Sequence, residues 1–343
     1  MYPLLTVDLS KIEHNTRVLV ERCWSRGIEI IGVTKGCLGA LPVAEAMRKG
    51  GISGVGDSRL ASLRKLAEAK FSPLVMLRQP MKEEVDDVVR LVDVSLISEL
   101  DIAFSLSQQA SLVEKEHSVV VMIESGGLRE GILPHEILDF VRKVQSLPFI
   151  KFLGIGTNVA CLEGTFPSTK SIELLVDLSS LIESEFGFKV PVISGGNSSV
   201  LKLLEDKEIA AGINQIRVGE GILLGQETIN FDPIEGLCRD AFLLSAEVIE
   251  VRTKVPNYQA GAECQRAVLA LGRQDIGEGM IKPLAHGPEI SMRSSDHLVI
   301  NIDNCSEQIR TGDTLSFIPD YFALLAAMTS PFVNKKFMGE HGR

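Results

Sequence analysis

The chain has 343 residues, of which 45% are hydrophobic, and its 35 basic and 45 acidic residues give a net charge of -10. A chain of this length can bury a sizeable core, and it predicts two domains or one large barrel with an additional piece. Because the balance is acidic and no basic block occurs, the composition argues against a nucleic-acid partner.

Short β-rich apolar runs alternate with helical patterns from Ile28 to Ile216. The eight runs are IEIIGVTK, ISGVGDS, SPLVMLR, VSLIS, SVVVMIES, FLGIGTN, VPVISGG and INQIRVG. Helical patterns lie between them, for example at 58–69, 99–114, 134–147 and 171–185. Eight strands that alternate with helices predict a parallel (β/α)8 barrel, a TIM barrel, in which the carboxyl ends of the strands carry the chemistry.

Lys35 closes the first of these strands and is followed by Gly36. A lysine amine is poorly hydrated where a buried strand opens into a glycine turn, so it can attack an aldehyde. The alternative is an ordinary lysine whose head lies in water. A barrel would gather Lys35 at one mouth with the other polar or glycine strand ends, which are Asp57, Ser58, Arg78, Ser98, Glu124, Asn158, Ser194 to Asn197, Arg217 and Gly219.

The helical rhythm stops after about residue 236. Alternating runs such as FLLSAEVIEV, RAVLALG, DHLVINID and DTLSFI follow between glycine-bearing turns, and they predict a smaller, mostly β domain. The opening stretch from Pro3 to Asp8 is predicted to be a strand that pairs with this domain. The predicted domains are therefore a barrel over 10–235 and a β-rich domain made of 1–9 plus 236–343, and the charged tail from Asn334 to Arg343 is predicted to fray.

The six cysteines are scattered, without a CxxC pair or the spacing of a zinc site. Such spacing is typical of reduced thiols in a cytosolic protein. The N-terminus has no basic segment followed by an apolar one, and no run reaches the roughly 18 apolar residues that a spanning helix needs. We therefore expect a cytoplasmic protein with neither a metal nor a membrane partner.

The segments together resemble the fold-type III pyridoxal phosphate enzymes. The resemblance rests on a VDLSKIEHN-like entry, the VTKG lysine, MIESGGLREG on the fifth strand, SGGNSS on the seventh, RVGEGILLG on the eighth, and the β domain that follows. From about Pro3 to Val333 the chain resembles the alanine racemase group, and most of all ornithine racemase and its relatives. This implies a pyridoxal 5'-phosphate cofactor, a small-molecule amino-acid substrate, and a head-to-tail homodimer in which the β domain completes the partner's active site.

The resemblance also assigns cofactor contacts. Lys35 matches the lysine that holds the cofactor as an imine and serves as one catalytic base. Arg217 matches the arginine that faces the pyridine nitrogen, which it keeps unprotonated because a guanidinium cannot accept a proton; a surface ion pair is the alternative. Arg129 matches the arginine near the phenolic oxygen. The other predicted contacts are Asn158, Ser194, Gly195, Asn197, Ser198, Gly219, Glu220 and Tyr321, of which Ser198, Gly219 and Glu220 match phosphate positions and Tyr321 is alternatively a half-buried core residue.

Racemisation needs an acid or base on each face of the planar carbanion. Alanine racemases use a tyrosine of the partner subunit within GYADG, but here LGRQDI places Arg273 there, and a guanidinium is a poor base. The nearby SSDHLV stretch offers His297, because an imidazole exchanges protons near neutral pH; the alternative is a histidine that caps a strand. Cys161, in the loop after the sixth strand, is the other candidate.

The predicted substrate contacts are Cys161, Asp275, Ser295 and Asp296. Either aspartate could receive the side-chain ammonium of a diamino acid, which favours ornithine or lysine over alanine, or each could cap a turn. Two alternatives remain for the function. One is a decarboxylase of the same superfamily, which would place an acidic residue where Arg217 stands, and the other is a non-catalytic carrier of the cofactor, a class that lacks the second domain.

Overall fold

The computed structural model describes residues 2–158, 168–205, 211–255 and 263–339. The chain divides into two compact units, a barrel unit made of 12–35 and 39–237 and a β unit made of 1–11, 36–38 and 238–343. The three residues that follow Lys35 are thus grouped with the β unit rather than with the barrel. The sequence patterns predicted a turn at Gly36 but not its grouping with the β unit, because that grouping depends on contacts with residues distant in the sequence.

The barrel unit contains a closed barrel of eight parallel strands, which confirms the predicted fold class. The first strand of the chain, β1 (Leu4–Asp8), belongs to the β unit. The barrel strands are β2 (Glu29–Val33), β3 (Gly54–Asp57), β4 (Leu74–Met76), β5 (Val94–Ile97), β6 (His117–Met122), β7 (Ile150–Gly156), β8 (Val192–Ser194) and β9 (Gln215–Val218). Pairing of β9 with β2 closes the ring, so β2 lies between β3 and β9.

Helices alternate with these strands, as the four predicted helical patterns require. They are α1 (Leu9–Trp24), α2 (Leu41–Lys49), α3 (Leu60–Glu68), α4 (Val85–Leu91), α5 (Leu100–Leu112), α6 (Ile137–Gln145), α7 (Thr169–Phe186), α8 (Leu201–Glu205) and α9 (Glu220–Leu224). In α6 the buried residues are Ile137, Phe140, Val141 and Val144, which lie on one face at helical spacing. None of the helices in the described ranges combines the length and the apolar character needed to cross a membrane.

The barrel interior is filled by side chains from alternating strand positions. Ile31, Val75, Leu96, Val120 and Met122 form one buried cluster, to which β2, β4, β5 and β6 contribute. Because successive side chains of a strand point to opposite faces, the neighbours of these residues point outward, toward the helices. The interior is therefore a packed core, and polar chemistry is confined to the strand ends.

The β unit is a mostly antiparallel sheet. Its strands are β1 with β10 (Phe242–Lys254), β11 (Cys264–Leu269), β12 (Ile281–Pro283), β13 (Glu289–Arg293), β14 (Leu298–Asn301), β15 (Thr314–Pro319) and β16 (Asn334–Met338), and its helices are α10 (Arg273–Ile276) and α11 (Tyr321–Thr329). The sheet order is β12-β15-β10-β11-β14-β13, and β1 pairs with both β10 and β16.

The predicted fraying of the tail is wrong for residues 334–338, which form β16. This strand pairs in parallel with β1 over its whole length, and the Asn334 N-H donates to the Pro3 carbonyl at 2.9 Å. Lys335 and Lys336 gave the segment its charged appearance, but a free edge of β1 supplies the hydrogen bonds that order it. Residues 340–343 lie outside the described residues.

His117, the first residue of β6, is fully buried, and its titration makes the stability of the fold depend on pH. Its Nε2 lies 2.9 Å from the Ser95 hydroxyl of β5. The Nδ1 atom has no hydrogen-bond partner among the described residues. Burial lowers the pKa of this imidazole from 6.5 to about 4, because the charged form is poorly solvated there.

We expect His117 to destabilise the fold as the pH falls from about 6.5 to about 4. The folded-state pKa lies below the unfolded value, so the unfolded chain binds the proton first, and the stabilisation present above pH 6.5 is lost through this window. The loss amounts to up to about 3 kcal/mol. Urea unfolding at several pH values should show this slope in the wild type and lose it in His117→Gln. His135→Gln, at an exposed histidine, is the control; equal slopes in all three proteins would refute the prediction.

Candidate active site

Lys35 and Arg217 lie on neighbouring strands of the barrel. Lys35 lies two residues after the end of β2, in a 3-10 turn over Lys35–Cys37, and its side chain is exposed. Arg217 lies on β9, which pairs with β2, and it is only 4% exposed. The barrel therefore places an accessible amine close after one strand and a buried guanidinium on the adjacent strand. The prediction of a poorly hydrated amine is wrong for this structure, because the Lys35 side chain is exposed.

The Arg217 guanidinium is fixed by oxygens from two other strands. Its Nη1 donates to the Ser194 hydroxyl at the end of β8, and its Nη2 donates to the Thr157 carbonyl after β7 at 2.5 Å. The alternative of a surface ion pair is wrong, because the side chain is buried among these strand ends. Two fixed acceptors set the direction of the guanidinium, and a permanently protonated group held in one direction is suited to face a ring nitrogen.

The loops after β8 and β9 converge around one hydroxyl. The Ser198 Oγ accepts hydrogen bonds from the N-H groups of Gly219 (3.2 Å) and Gly221 (3.3 Å), and Ser198 is 4% exposed. A side chain at Gly219 would place its Cβ 3.1 Å from the Cβ of Val33, so glycine permits the close approach of β9 to β2. A hydroxyl and two backbone N-H donors that meet at a loop suit a phosphate group, which is what the cofactor requires.

Three further predicted cofactor residues come together in the structure. The Asn158 amide lies between Asn197 and Arg129: one terminal atom is 2.9 Å from Asn197 Nδ2, and the other is 3.1 Å from Arg129 Nη1. Arg129 also forms an ion pair with Glu130. These residues follow β6, β7 and β8, so the meeting point is the carboxyl end of the barrel.

The remaining cofactor predictions fall at loop and helix starts. Gly195 is buried directly after β8, and Glu220 is the first residue of α9. Glu220 Oε1 accepts a hydrogen bond from Gln226 Nε2 at 3.1 Å, which leaves its backbone as the part suited to a phosphate. Tyr321 begins α11 in the β unit, where it is half-buried and packs edge-on against Phe322.

The LGRQDI and SSDHLV motifs of the β domain, where the second base was sought, contact each other. We call their contacting loops the loop pair 272–275 and 294–297. The N-H groups of Arg273 and Gln274 donate to the carbonyls of Ser294 (2.9 Å) and Ser295 (3.0 Å). A Cβ at Gly272 would lie 2.2 Å from the Ser295 carbonyl oxygen, so only glycine permits this contact. The β unit thus brings together residues that are more than twenty positions apart in the sequence.

The two aspartates of the loop pair differ in accessibility. Asp275 is buried, and its Oδ2 accepts the Gly272 N-H at 2.9 Å, so it caps its own turn. Burial raises the pKa of this carboxyl, the Gly272 N-H opposes the increase, and the negative charge of Asp296 adds to it. Asp296 is exposed, and its two oxygens accept from Gln274 Nε2 (2.7 Å) and the Ser295 hydroxyl (3.0 Å). Asp296 therefore presents the accessible carboxylate of the cluster.

His297 lies in the same loop pair. Its backbone N-H donates to the Ser294 hydroxyl at 3.0 Å, and its side chain is exposed. Arg273, at the position of the racemase tyrosine, is exposed and forms an ion pair with Glu278 at 3.4 Å. Cys161, the other predicted candidate for the second base, lies outside the described residues.

The sequence patterns missed two residues of this constellation. Thr157, which is 1% exposed, holds Arg217 through its carbonyl, and Gln274 orients Asp296. Thr157 stands at a strand end and could have been found by that position. Gln274 gives no such signal, because its role depends on the contact between two loops.

The closed eight-stranded barrel and the mostly antiparallel β domain are the architecture of the fold-type III pyridoxal phosphate enzymes. Residues 7–226 match the family model described as alanine racemase, N-terminal domain. The chain belongs to this family, since the match covers more than half of its length.

Two curated relatives are similar over nearly the whole chain. A lysine racemase of Thermotoga maritima is 36% identical over 351 aligned residues, with 98% of each chain covered. An ornithine racemase of Acetoanaerobium sticklandii is 32% identical over 354 residues, with 98% of this chain and all of that protein covered. Among solved structures, D-threonine aldolase from Filomicrobium marinum superposes with a TM-score of 0.79 at 16% identity, covering 96% of this chain and 90% of that one. At that identity the superposition shows the fold alone.

Proposed function

We propose that the protein is a pyridoxal 5'-phosphate-dependent amino-acid racemase, an isomerase that acts on a basic amino acid such as ornithine or lysine. The observation that carries the proposal is the similarity to a lysine racemase and an ornithine racemase over 98% of this chain. The strand-end residues support it, because an accessible lysine, a buried arginine and a phosphate-binding loop occur where such an enzyme needs them.

When bound, the cofactor supplies an electron-withdrawing ring that stabilises negative charge at the α-carbon of the substrate. The Lys35 amine would hold the cofactor covalently, and the same amine would move the α-proton on one face of the substrate. Arg217 would be the residue toward the ring nitrogen, and because a guanidinium cannot accept a proton it would leave that nitrogen unprotonated and so limit side reactions. Ser198 and the N-H groups of Gly219 and Gly221, which meet at the Ser198 hydroxyl, would bind the phosphate, with Tyr321 as a further ligand.

On the opposite face, His297 is our proposed second base. It lies in the loop pair 272–275 and 294–297 together with Ser295 and Asp296. We propose that both of these residues contact the substrate and that Asp296 binds its distal ammonium group. Asp275 supports that assignment indirectly, because it caps the turn that carries Gln274. Following the resemblance, we propose a homodimer in which this loop pair completes the barrel site of the partner chain.

The two alternative functions would require other features of the chain. A decarboxylase of this superfamily would place an acidic residue toward the ring nitrogen, whereas the residue that matches this position is Arg217, a buried guanidinium that cannot accept a hydrogen bond. A non-catalytic carrier would have no use for the β unit of residues 238–343. We also propose a cytoplasmic location, supported by the scattered spacing of the six cysteines, which include no CxxC pair.

An isotope-exchange assay tests the function directly. The purified holoenzyme is incubated in D2O with single enantiomers of ornithine, lysine, arginine, alanine and serine, and NMR and chiral chromatography follow the α-carbon. We expect solvent deuterium at the α-position together with a growing antipode, and a kcat/KM for ornithine or lysine about tenfold or more above that for alanine. Release of CO2 would instead identify a decarboxylase. If neither deuterium exchange nor CO2 release occurs, the protein is a non-catalytic carrier of the cofactor and the proposal is refuted.

A further inference from the structure

Asp57 is a buried carboxylate that the proposed mechanism does not use. It ends β3, and neither it nor Thr34, which directly precedes Lys35, has any exposed surface. We infer that Asp57 is a positioning residue for Lys35 and acts through Thr34. The inference rests on the proposed function, because it takes the Lys35 amine to be the reactive group.

The hydrogen bonds around Asp57 tie three strand ends together. The Thr34 hydroxyl donates to Asp57 Oδ2 at 2.8 Å, and the Thr34 N-H donates to the Gly56 carbonyl at 3.0 Å. The Asp57 carbonyl accepts from the Leu77 N-H at 2.9 Å, and Asp57 Oδ1 accepts from the Arg59 N-H at 3.0 Å. The residue before Lys35 is thus bonded through both its main chain and its side chain to the neighbouring strand.

The alternation of side chains along the strands places the Asp57 carboxylate on the outer, helix-facing side of the barrel wall. Asp57 pairs in register with Met76, whose neighbour Val75 belongs to the interior cluster. Since side chains alternate along a strand, Met76 and Asp57 face outward, and Thr34 faces the same way because its hydroxyl reaches Asp57. The carboxylate therefore braces the end of β2 from the helix side of the barrel wall, and it touches neither substrate nor cofactor.

The electrostatics link the same two positions. Burial raises the pKa of the Asp57 carboxyl, while the Arg59 N-H, the Thr34 hydroxyl, the Ser58 N-H and the positive charge of Lys35 oppose that increase. A carboxylate that is stabilised by three donors in a fixed arrangement is a rigid acceptor, and it holds Thr34 in one conformation.

Four variants and one control test the inference. Thr34→Val removes the hydroxyl, Thr34→Ser keeps it, and Asp57→Asn keeps the size but sets an amide against the backbone donors; the double variant combines Thr34→Val with Asp57→Asn. Ser95→Ala is the matched control, because it also removes a buried hydroxyl that contacts a buried partner, His117, on the adjacent strand of the same barrel. The readouts are kcat and KM of the holoenzyme and the rate at which cofactor-free protein takes up pyridoxal 5'-phosphate, followed by absorbance near about 420 nm.

We expect Thr34→Val and Asp57→Asn each to lower kcat and the uptake rate about tenfold or more, with little change in KM. Thr34→Ser should retain both values. The double variant should be no worse than the more damaging single variant, because the two residues act through one contact. Ser95→Ala should unfold at lower denaturant concentration and keep wild-type kcat and uptake.

Additive losses in the double variant, or wild-type behaviour of Thr34→Val, would overturn the inference while the proposed function stood. If Asp57→Asn does not fold, the comparison of Thr34→Val with Thr34→Ser decides. A wild-type protein that takes up no cofactor would overturn the proposed function, and this inference with it.

Discussion

Replacing Lys35 with alanine is expected to abolish covalent attachment of pyridoxal 5'-phosphate and to lower racemisation by about a thousandfold or more, because one residue serves as anchor and as base. The expectation rests on an exposed lysine that lies two residues after β2, the strand that pairs with the strand of the buried Arg217. Absorbance near about 420 nm would report the attachment. Chiral chromatography would report the turnover.

The control for this variant is Lys143→Ala. Lys143 lies on α6, its side chain is 55% exposed, and it forms an ion pair with Asp139 on the same helix. Its loss removes a lysine from the protein without touching a strand end, so absorbance and turnover should match the wild type. The prediction would be contradicted if the absorbance band persisted in Lys35→Ala. Borohydride reduction of that variant followed by mass analysis would then locate the cofactor on another lysine.

Replacing His297 with asparagine is expected to separate proton exchange from racemisation. A two-base enzyme that loses one base still exchanges the α-proton on the face of the other, so one enantiomer should continue to take up solvent deuterium with retained configuration. Formation of the antipode should fall by about a hundredfold or more. The expectation follows from an exposed imidazole in the same loop pair as Asp296.

His286→Asn is the matched control for the second base. His286 is another exposed histidine of the β unit, and it lies outside the loop pair 272–275 and 294–297. The control should racemise at the wild-type rate. Unchanged racemisation in both directions by His297→Asn would exclude His297, and Cys161→Ser would then be the next variant to measure.

The sequence was sufficient to predict the barrel, because eight apolar runs and the helices between them carry strong local periodicity. The same runs placed Lys35 and Arg217 at strand ends, as the structure has them, and their roles, which come from the resemblance, stay predictions. The tail was mispredicted because Lys335 and Lys336 resemble a solvated end, while the strand that orders them lies at the other terminus of the chain. A partner strand so far away in the sequence leaves no local pattern from which the pairing could be predicted.

The limits of prediction in the site have the same origin. Gln274 reaches Asp296 only because two loops meet at Gly272, and that contact depends on the pairing of β11 with β14 and of β14 with β13. Thr157 acts through its carbonyl, which every residue possesses, so its side chain gave no sign of the role. Asp57 was visible as a polar strand end, but its partner Thr34 is identified only by the register of β2 against β3.

The position of β1 between β10 and β16 sets an order of events during synthesis on the ribosome. The opening strand is made first, yet both of its partners belong to the last third of the chain. Residues 12–237 can close their ring before those partners emerge, since domains fold as units from the N-terminal side. The β unit is complete only when β16 has left the exit tunnel, so a nascent chain truncated before Asn334 would leave one side of β1 unpaired.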